Sequence, residues 1–252
     1  TLARAVVASL DQADLTLARD RARAAAVAKA RAEAAQTYFK AHASEWDEIR
    51  ALHVAEREVE AAMDAALGQG PFKLLVDLGT GTGRILELFG PRAGRALGFD
   101  LNHAMLNYAR MKLERAGLSH AQVRHGDLNN VPLPDGAAEA VVLHQVLHFL
   151  DDPAAAIAEA ARLLAPGGRL LVVDFAPHEL EFLREQSAHR RLGFARDQLA
   201  RLFEGSGLKL ERFRELKTSA SGGKLTVSLW LGVKPAAAAK KRKANAKVEA
   251  AA

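Results

Sequence analysis

A doubly wound α/β sheet with a helical extension on its N-terminal side is the fold class this sequence predicts, and three observations predict it. From Phe72 onward, short apolar runs alternate with helix-length amphipathic stretches, the pattern that packs helices on both faces of a largely parallel sheet. The first run leads into a glycine-rich turn, Gly79-Thr80-Gly81-Thr82-Gly83, placed where such sheets bind ligands. Two β-rich stretches flank a Ser/Gly turn near the end, as an antiparallel closing pair would.

Taken in order, residues 1–69 are rich in Ala, Arg and Glu and contain no Pro. Asp20 to Ala35 is nearly pure Ala/Arg, with high helix propensity throughout. Glu56 to Leu67 spaces Val59, Ala62, Met63 and Ala66 as one helical face, and Gly68 supplies a stop. Strands are expected at Phe72–Leu78, Ala96–Phe99, Gln122–Arg124, Ala138–Leu143 and Arg169–Phe175, then at Leu208–Leu216 and Leu225–Val233. Asn102 can cap a helix bearing Leu106, Ala109 and Leu113, and Asp152-Pro153 reads as a cap and first turn. Pro166-Gly167-Gly168 is read as a turn into the fifth strand, and Arg196–Phe203 as a further helix. The domains expected are thus 1–69, helical; 70–233, the α/β sheet; and 234–252, a tail.

The chain of 252 residues is 49% hydrophobic and 26% charged, with no cysteine. That excludes disulfides, Cys-ligated metals and Cys nucleophiles and makes the cytoplasm the expected location, with no membrane partner. The net charge of +5 is concentrated: Lys234, Lys240, Lys241, Arg242, Lys243 and Lys247 face only Glu249, so residues 1–233 sum to zero. The segment is read as a disordered Ala/Lys tail, able to touch nucleic acid weakly through charge alone. The first residues show no signal-peptide pattern, and an opening at Thr1 reads as a fragment or a processed chain.

The chemistry-bearing residues sit at successive strand ends. Asp77 precedes the glycine turn by two, and the spacing G-x-G-x-G departs from the nicotinamide fingerprint, whose third glycine position holds Arg84. Asp100 ends the second strand, where its two oxygens could accept both hydroxyls of a ribose. Gly126-Asp127-Leu128 ends the third strand, where Asp127 could accept from an adenine amine.

These residues resemble the class I S-adenosylmethionine-dependent methyltransferases, particularly the ubiquinone/menaquinone methyltransferase subgroup. The resemblance covers about Pro71 to Pro177, and more loosely extends to Val233. It implies a Rossmann-like sheet of seven strands, the last antiparallel. It implies that Asp77, Gly79, Thr80, Gly81 and Gly83 meet the methionine part of the cofactor, and that Asp100, Leu101 and Met105 hold its ribose and underlie its adenine. Gly126, Asp127 and Leu128 would then form the adenine loop. Leu163 to Leu170 resembles the family's helix-to-fifth-strand signature. Upstream, Tyr38 to Asp47 is similar to the segment that covers the cofactor, so Tyr38 and Trp46 enter as a lid, against the alternative of core packing. The helical preamble also resembles the region preceding the methyltransferase part of ArsR-type regulator–methyltransferase fusions.

The acceptor side is less legible. His144 and His148, four apart after the fourth strand, are candidate bases, as are Asp174 and His178 after the fifth. No metal is expected. Cysteine-dependent arsenite and cytosine methylation are excluded, and His144-Gln145-Val146-Leu147 lacks the motif of amino-methylating DNA enzymes. What remains is methyl transfer from S-adenosylmethionine, with S-adenosylhomocysteine as product, to a small molecule. The alternative is a module that senses these nucleotides for a transcriptional regulator. The Ala-rich helices could also pair two copies as a homodimer.

Overall fold

The apolar run at Phe72–Leu78 becomes β1, an interior strand of a seven-stranded sheet. The structure is a computed structural model and describes residues 14–47, 56–217 and 225–236. Before β1 come α1 (Leu15–His42) and α2 (Glu56–Leu67). After it follow α3 (Arg84–Phe89), β2 (Ala93–Asp100), α4 (His103–Arg115), β3 (Ala121–His125), β4 (Ala138–His144), α5 (Pro153–Leu163), β5 (Leu164–Phe175), α6 (Phe182–Gln186), α7 (Arg196–Gly205), β6 (Lys209–Lys217) and β7 (Thr226–Val233).

The strand order is β3-β2-β1-β4-β5-β7-β6. Strands β1 to β5 pair in parallel, and β7 runs antiparallel between β5 and β6. Side chains alternate across the sheet and feed two cores. One gathers Leu75, Ala96 and Val142 against α2, α3 and α4; the other gathers Val76, Leu97 and Val141 against α5 and α7. The inner strands are therefore apolar on both faces, as parallel strands under helices must be. Full burial of each Val, Leu or Phe contributes about 1.5–3 kcal/mol.

Local signals explain most boundaries. The Asn102 side chain accepts from Met105 N–H at 3.1 Å, and Asp152 accepts from Ala154 and Ala155 ahead of Pro153, each cap satisfying orphan donors at a helix start. The stripe Val59, Ala62, Met63 and Ala66 is buried as its spacing demands. Helix α1 differs. It is 28 residues long and buries only Ala35, because Ala and Arg alternate without an apolar stripe. The Pro166-Gly167-Gly168 turn is also corrected: α5 ends at Leu163 and β5 begins at Leu164, pairing with Ala138 before a register shift.

Lys234 belongs to the folded sheet rather than to the tail. Its Nζ donates to the carbonyls of Ala161 and Leu164 at 2.8 and 2.7 Å, and its backbone exchanges hydrogen bonds with Gly167 and Gly168. A lysine at a helix C-terminus satisfies carbonyls that the helix leaves open. The remainder of the expected tail, from residue 237, lies outside the described residues. Among the described residues no helix is long and apolar enough to cross a membrane.

Candidate functional site

The carboxyl ends of β1, β2 and β4 meet at a cavity of about 360 Å³. The glycine turn forms its floor. Gly79 and Thr80 donate their N–H groups to Phe99 O at 2.8 and 3.0 Å, which ties the turn to the end of β2. Gly79 has φ 77°, and a Cβ there would lie 2.4 Å from Val146 Cγ2. Gly81, at φ 52°, would point a Cβ toward the Trp46 indole at 3.7 Å. Side chains at these positions would fill the space the turn leaves for a ligand.

Asp100 is fixed in this turn. It accepts from Gly81 N–H at 2.9 Å and from Asn102 N–H at 2.8 Å. Burial pushes its carboxyl above the ordinary aspartate value, and the hydrogen bonds from Asn102, Gly81 and Leu101 oppose that rise. Beside it, Arg84 makes a two-pronged bond to Glu60 of α2 at 2.6 and 2.9 Å, which holds the guanidinium firmly protonated. The position that departs from the nicotinamide fingerprint thus anchors a helix.

Asp77, Gly79, Thr80, Gly81, Asp100, Leu101, Met105, Gly126, Leu128 and Trp46 all line the cavity, as does His144. Six expected residues do not, Asp174 and His178 among them. Gly83 caps α3 at φ 83°, where a Cβ would lie 3.0 Å from Ala109 Cβ. Asp127 is exposed, and its Oδ1 accepts from the backbone and side chain of Asn129 at 2.9 Å, which closes a local turn. Asn129 reaches the cavity instead. Tyr38 packs tilted against His42 and edges onto Phe39 and Trp46, facing a neighbouring cleft.

His148 is another of the six. It is 2% exposed, and its Nδ1 meets Asp174 Oδ1 at 2.7 Å. The expected pairs, His144 with His148 and Asp174 with His178, are therefore crossed: the close contact joins His148 to Asp174. Asp174 also accepts from the backbone N–H groups of His148 and Phe175. The pair sits in an aromatic cluster with Phe149, Phe175 and His189, away from the cavity lining.

A cover comes from the N-terminal side. Ala32, Ala35, Gln36 and Phe39 of α1, with Trp46 beyond it, line the cavity opposite the strands. Phe39 packs edge-on to Trp46 at 5.3 Å and to Phe149 at 4.8 Å. Polar ties fasten this cover to the sheet. Asn102 Nδ2 donates to Gln36, Thr82 Oγ1 donates to Asp47 at 2.8 Å, and Lys112 pairs with Asp47. Sequence reasoning missed Gln36, Gln145, Phe149 and Arg190 among the lining residues. Gln145 holds φ 49° with its N–H on Val173 O at 2.7 Å, and nothing in a glutamine marks a position for left-handed backbone.

Residues 76–172 match the family model of the methyltransferase domain. A demethylmenaquinone methyltransferase of Thermus thermophilus is 40% identical over 118 residues, covering 46% of this chain and 53% of that protein. A malonyl-[acyl-carrier protein] O-methyltransferase of Serratia marcescens is 34% identical over 172 residues, covering 67% of this chain and 60% of its own. The chain spans about half the length of the first curated relatives it matches. Among solved structures, a geranyl diphosphate C-methyltransferase of Streptomyces coelicolor, crystallised with Mg2+, geranyl diphosphate and S-adenosyl-L-homocysteine, shares the fold. The TM-score is 0.60 at 18% identity, over 71% of this chain and 78% of that one. Residues 76–172 thus carry a methyltransferase domain, and over it the chain is similar to S-adenosylmethionine-dependent methyltransferases.

Proposed function

We propose that this protein transfers the methyl group of S-adenosylmethionine to a small-molecule acceptor. The observation that supports this reading above others is the cavity itself, which gathers a glycine-rich turn, a fixed carboxylate and an aromatic cover at adjoining strand ends. The residues fit the cofactor. Asp100 would accept the ribose hydroxyls, Met105 and Leu128 would flank the base, and Gly79 and Gly81 would let the backbone approach the amino-acid part. When bound, S-adenosylmethionine supplies an electrophilic methyl group on a sulfonium.

The chain contributes position and dryness. Phe39, Trp46 and Phe149 close the cavity against water, and ring faces attract a cation. Holding the acceptor in line with the methyl group converts an encounter into an intramolecular event, a large part of the barrier in such displacements. His144 is the titratable imidazole on the cavity wall and is the candidate to take a proton from the acceptor. Asp174 and His148 would act at one remove, by fixing the loop that carries Phe149. The sensing alternative has no observation of its own among the described residues.

The test has two parts. Calorimetric titration with S-adenosyl-L-homocysteine should give saturable one-to-one binding. Incubation with S-adenosylmethionine labelled in its methyl group should then label a small-molecule product in an acceptor panel. Absence of nucleotide binding defeats the reading outright, and binding without label transfer to any acceptor favours sensing.

A further inference from the structure

A second cleft adjoins the proposed cofactor cavity. Between α1 and the segment around α6 lies a cleft of about 340 Å³ that shares Ala35 and Arg190 with the cavity at the strand ends. Its charged lining is strongly one-sided: Arg31 from α1, Arg184 from α6 and Arg190, with Glu185 as the carboxylate.

Arg190 stands at the junction of the two spaces. Its side chain is 13% exposed, and its ion partner Asp151 lies at 3.6 Å and is itself 55% exposed. That distance is too long for a hydrogen bond, and an exposed carboxylate is screened by water. The backbone N–H of Arg190 is fixed on His148 O at 2.8 Å, so the base of the side chain has a set position. A largely buried guanidinium is costly without close acceptors, and its planar fork matches a carboxylate or phosphate in two parallel bonds. On the cofactor side of the junction Phe39, Phe149 and Leu150 supply an apolar wall, with the carboxylates of Asp151 and Asp152 beside it.

We propose that the methyl acceptor is an oxyanion with an aromatic or apolar body. Its carboxylate or phosphate binds Arg190 at the junction, its body lies against Phe39, Phe149 and Leu150, and Arg31 and Arg184 attract it through the cleft. This rests on the methyltransferase reading of the same cavity. It adds the charge class of the acceptor and assigns Arg190 as the residue that selects it.

The test uses the full chain, free and saturated with S-adenosyl-L-homocysteine, titrated with 4-hydroxybenzoate, phenyl phosphate and neutral phenol. At least one anion should bind tenfold or more tightly than phenol, and the tighter of the two distinguishes a carboxylate site from a phosphate site. Arg190→Gln should remove that preference, whereas Arg190→Lys should keep part of it. Arg31→Gln, on the exposed surface of α1, should weaken the anion about two- to threefold and supplies a second variant should Arg190→Gln not fold. Phenol binding as tightly as both anions, no anion binding at all, or a preference that survives Arg190→Gln would each overturn the proposal. Failure to bind S-adenosyl-L-homocysteine strikes the cofactor reading instead, and the titrations of the free protein still decide the anion question.

Discussion

The two ends of the cavity are built by different means. At the cofactor end, contacts come from three consecutive strand ends and depend on backbone: the N–H groups of Gly79, Thr80 and Gly81 and the carboxylate of Asp100 lock one another in place. At the proposed acceptor end, Phe39, Gln145, Phe149 and Arg190 arrive from three separate stretches, and the carbonyl of His148, whose ring Asp174 holds, fixes the backbone of Arg190. A turn enforced by backbone geometry keeps its shape when neighbouring side chains vary. A wall assembled from side chains can change ligand by changing one loop. The difference explains how one cofactor site can serve many acceptors.

The largest expected effect tests whether the acceptor end hangs on one buried carboxylate. Asp174 is wholly buried and holds His148 through side chain and backbone. Asp174→Ala should destabilise the fold by about 3–5 kcal/mol in urea unfolding, since it leaves a buried partner uncompensated. A loss below about 1 kcal/mol would mean that the acceptor end is held some other way.

Asp100→Ala probes the opposite end. The fold should tolerate it, and S-adenosyl-L-homocysteine should bind at least tenfold more weakly, because charge-assisted hydrogen bonds are worth about 1.5–3 kcal/mol each. An unchanged Kd would remove Asp100 from the cofactor site. The same group sets a pH dependence. Its carboxyl is raised above 3.8 by burial, and accepting two hydroxyls requires the ionised form. Affinity should therefore fall as pH drops through the raised value, and the fall should begin above the ordinary aspartate range. The Asp100→Ala protein should lack that limb.

A control outside both ends is Lys234. Lys234→Met removes two hydrogen bonds to the end of α5 and should cost about 1 kcal/mol or more of stability, with cofactor affinity unaltered. Truncation after Ala236 should leave stability unchanged, and truncation after Val233 should reproduce the loss.

The smallest effect concerns the cover that spans both ends. Trp46→Ala should weaken nucleotide binding about two- to fivefold, the worth of one exposed cation–π contact. Hydrogen exchange over residues 36–47 should slow on binding, as expected of a closing segment. Equal and high protection in both states would make Phe39 and Trp46 permanent core.

The same contrast decides what the sequence reveals. Strand positions, the Asn102 and Asp152 caps and the stripe on α2 are local signals, read within a few residues. The cofactor end is equally local: Asp77, Gly79, Gly81, Asp100 and Leu128 sit at predictable offsets from strand ends. His148 misled because spacing of four suggests a shared helical face, whereas the chain there is a short 3-10 turn, Leu147–Phe149, that points the ring inward to Asp174 on the next strand. Asp127 misled because a strand-end aspartate serves a ligand or its own turn with the same residue type. Arg190 lies 46 residues beyond β4 in the charged stretch His178 to Arg191, which reads equally as an acceptor-selecting insertion or a solvated helix, and only tertiary packing brings it to the cavity.

The position of β7 has a consequence for how the chain is made. This strand is last in sequence yet sits inside the sheet, with β5 on one side and β6 on the other. During synthesis β1 to β5 emerge first and can pair, which completes the strands of the cofactor end early. One edge of β5, whose centre is the apolar run Leu170 to Val173, then stays open until residues 226–233 arrive, and an open apolar edge invites pairing with other chains. Translation speed between β5 and β7, and chaperones that shelter a bare β-edge, should therefore govern the yield of this protein more than the stability of its finished core.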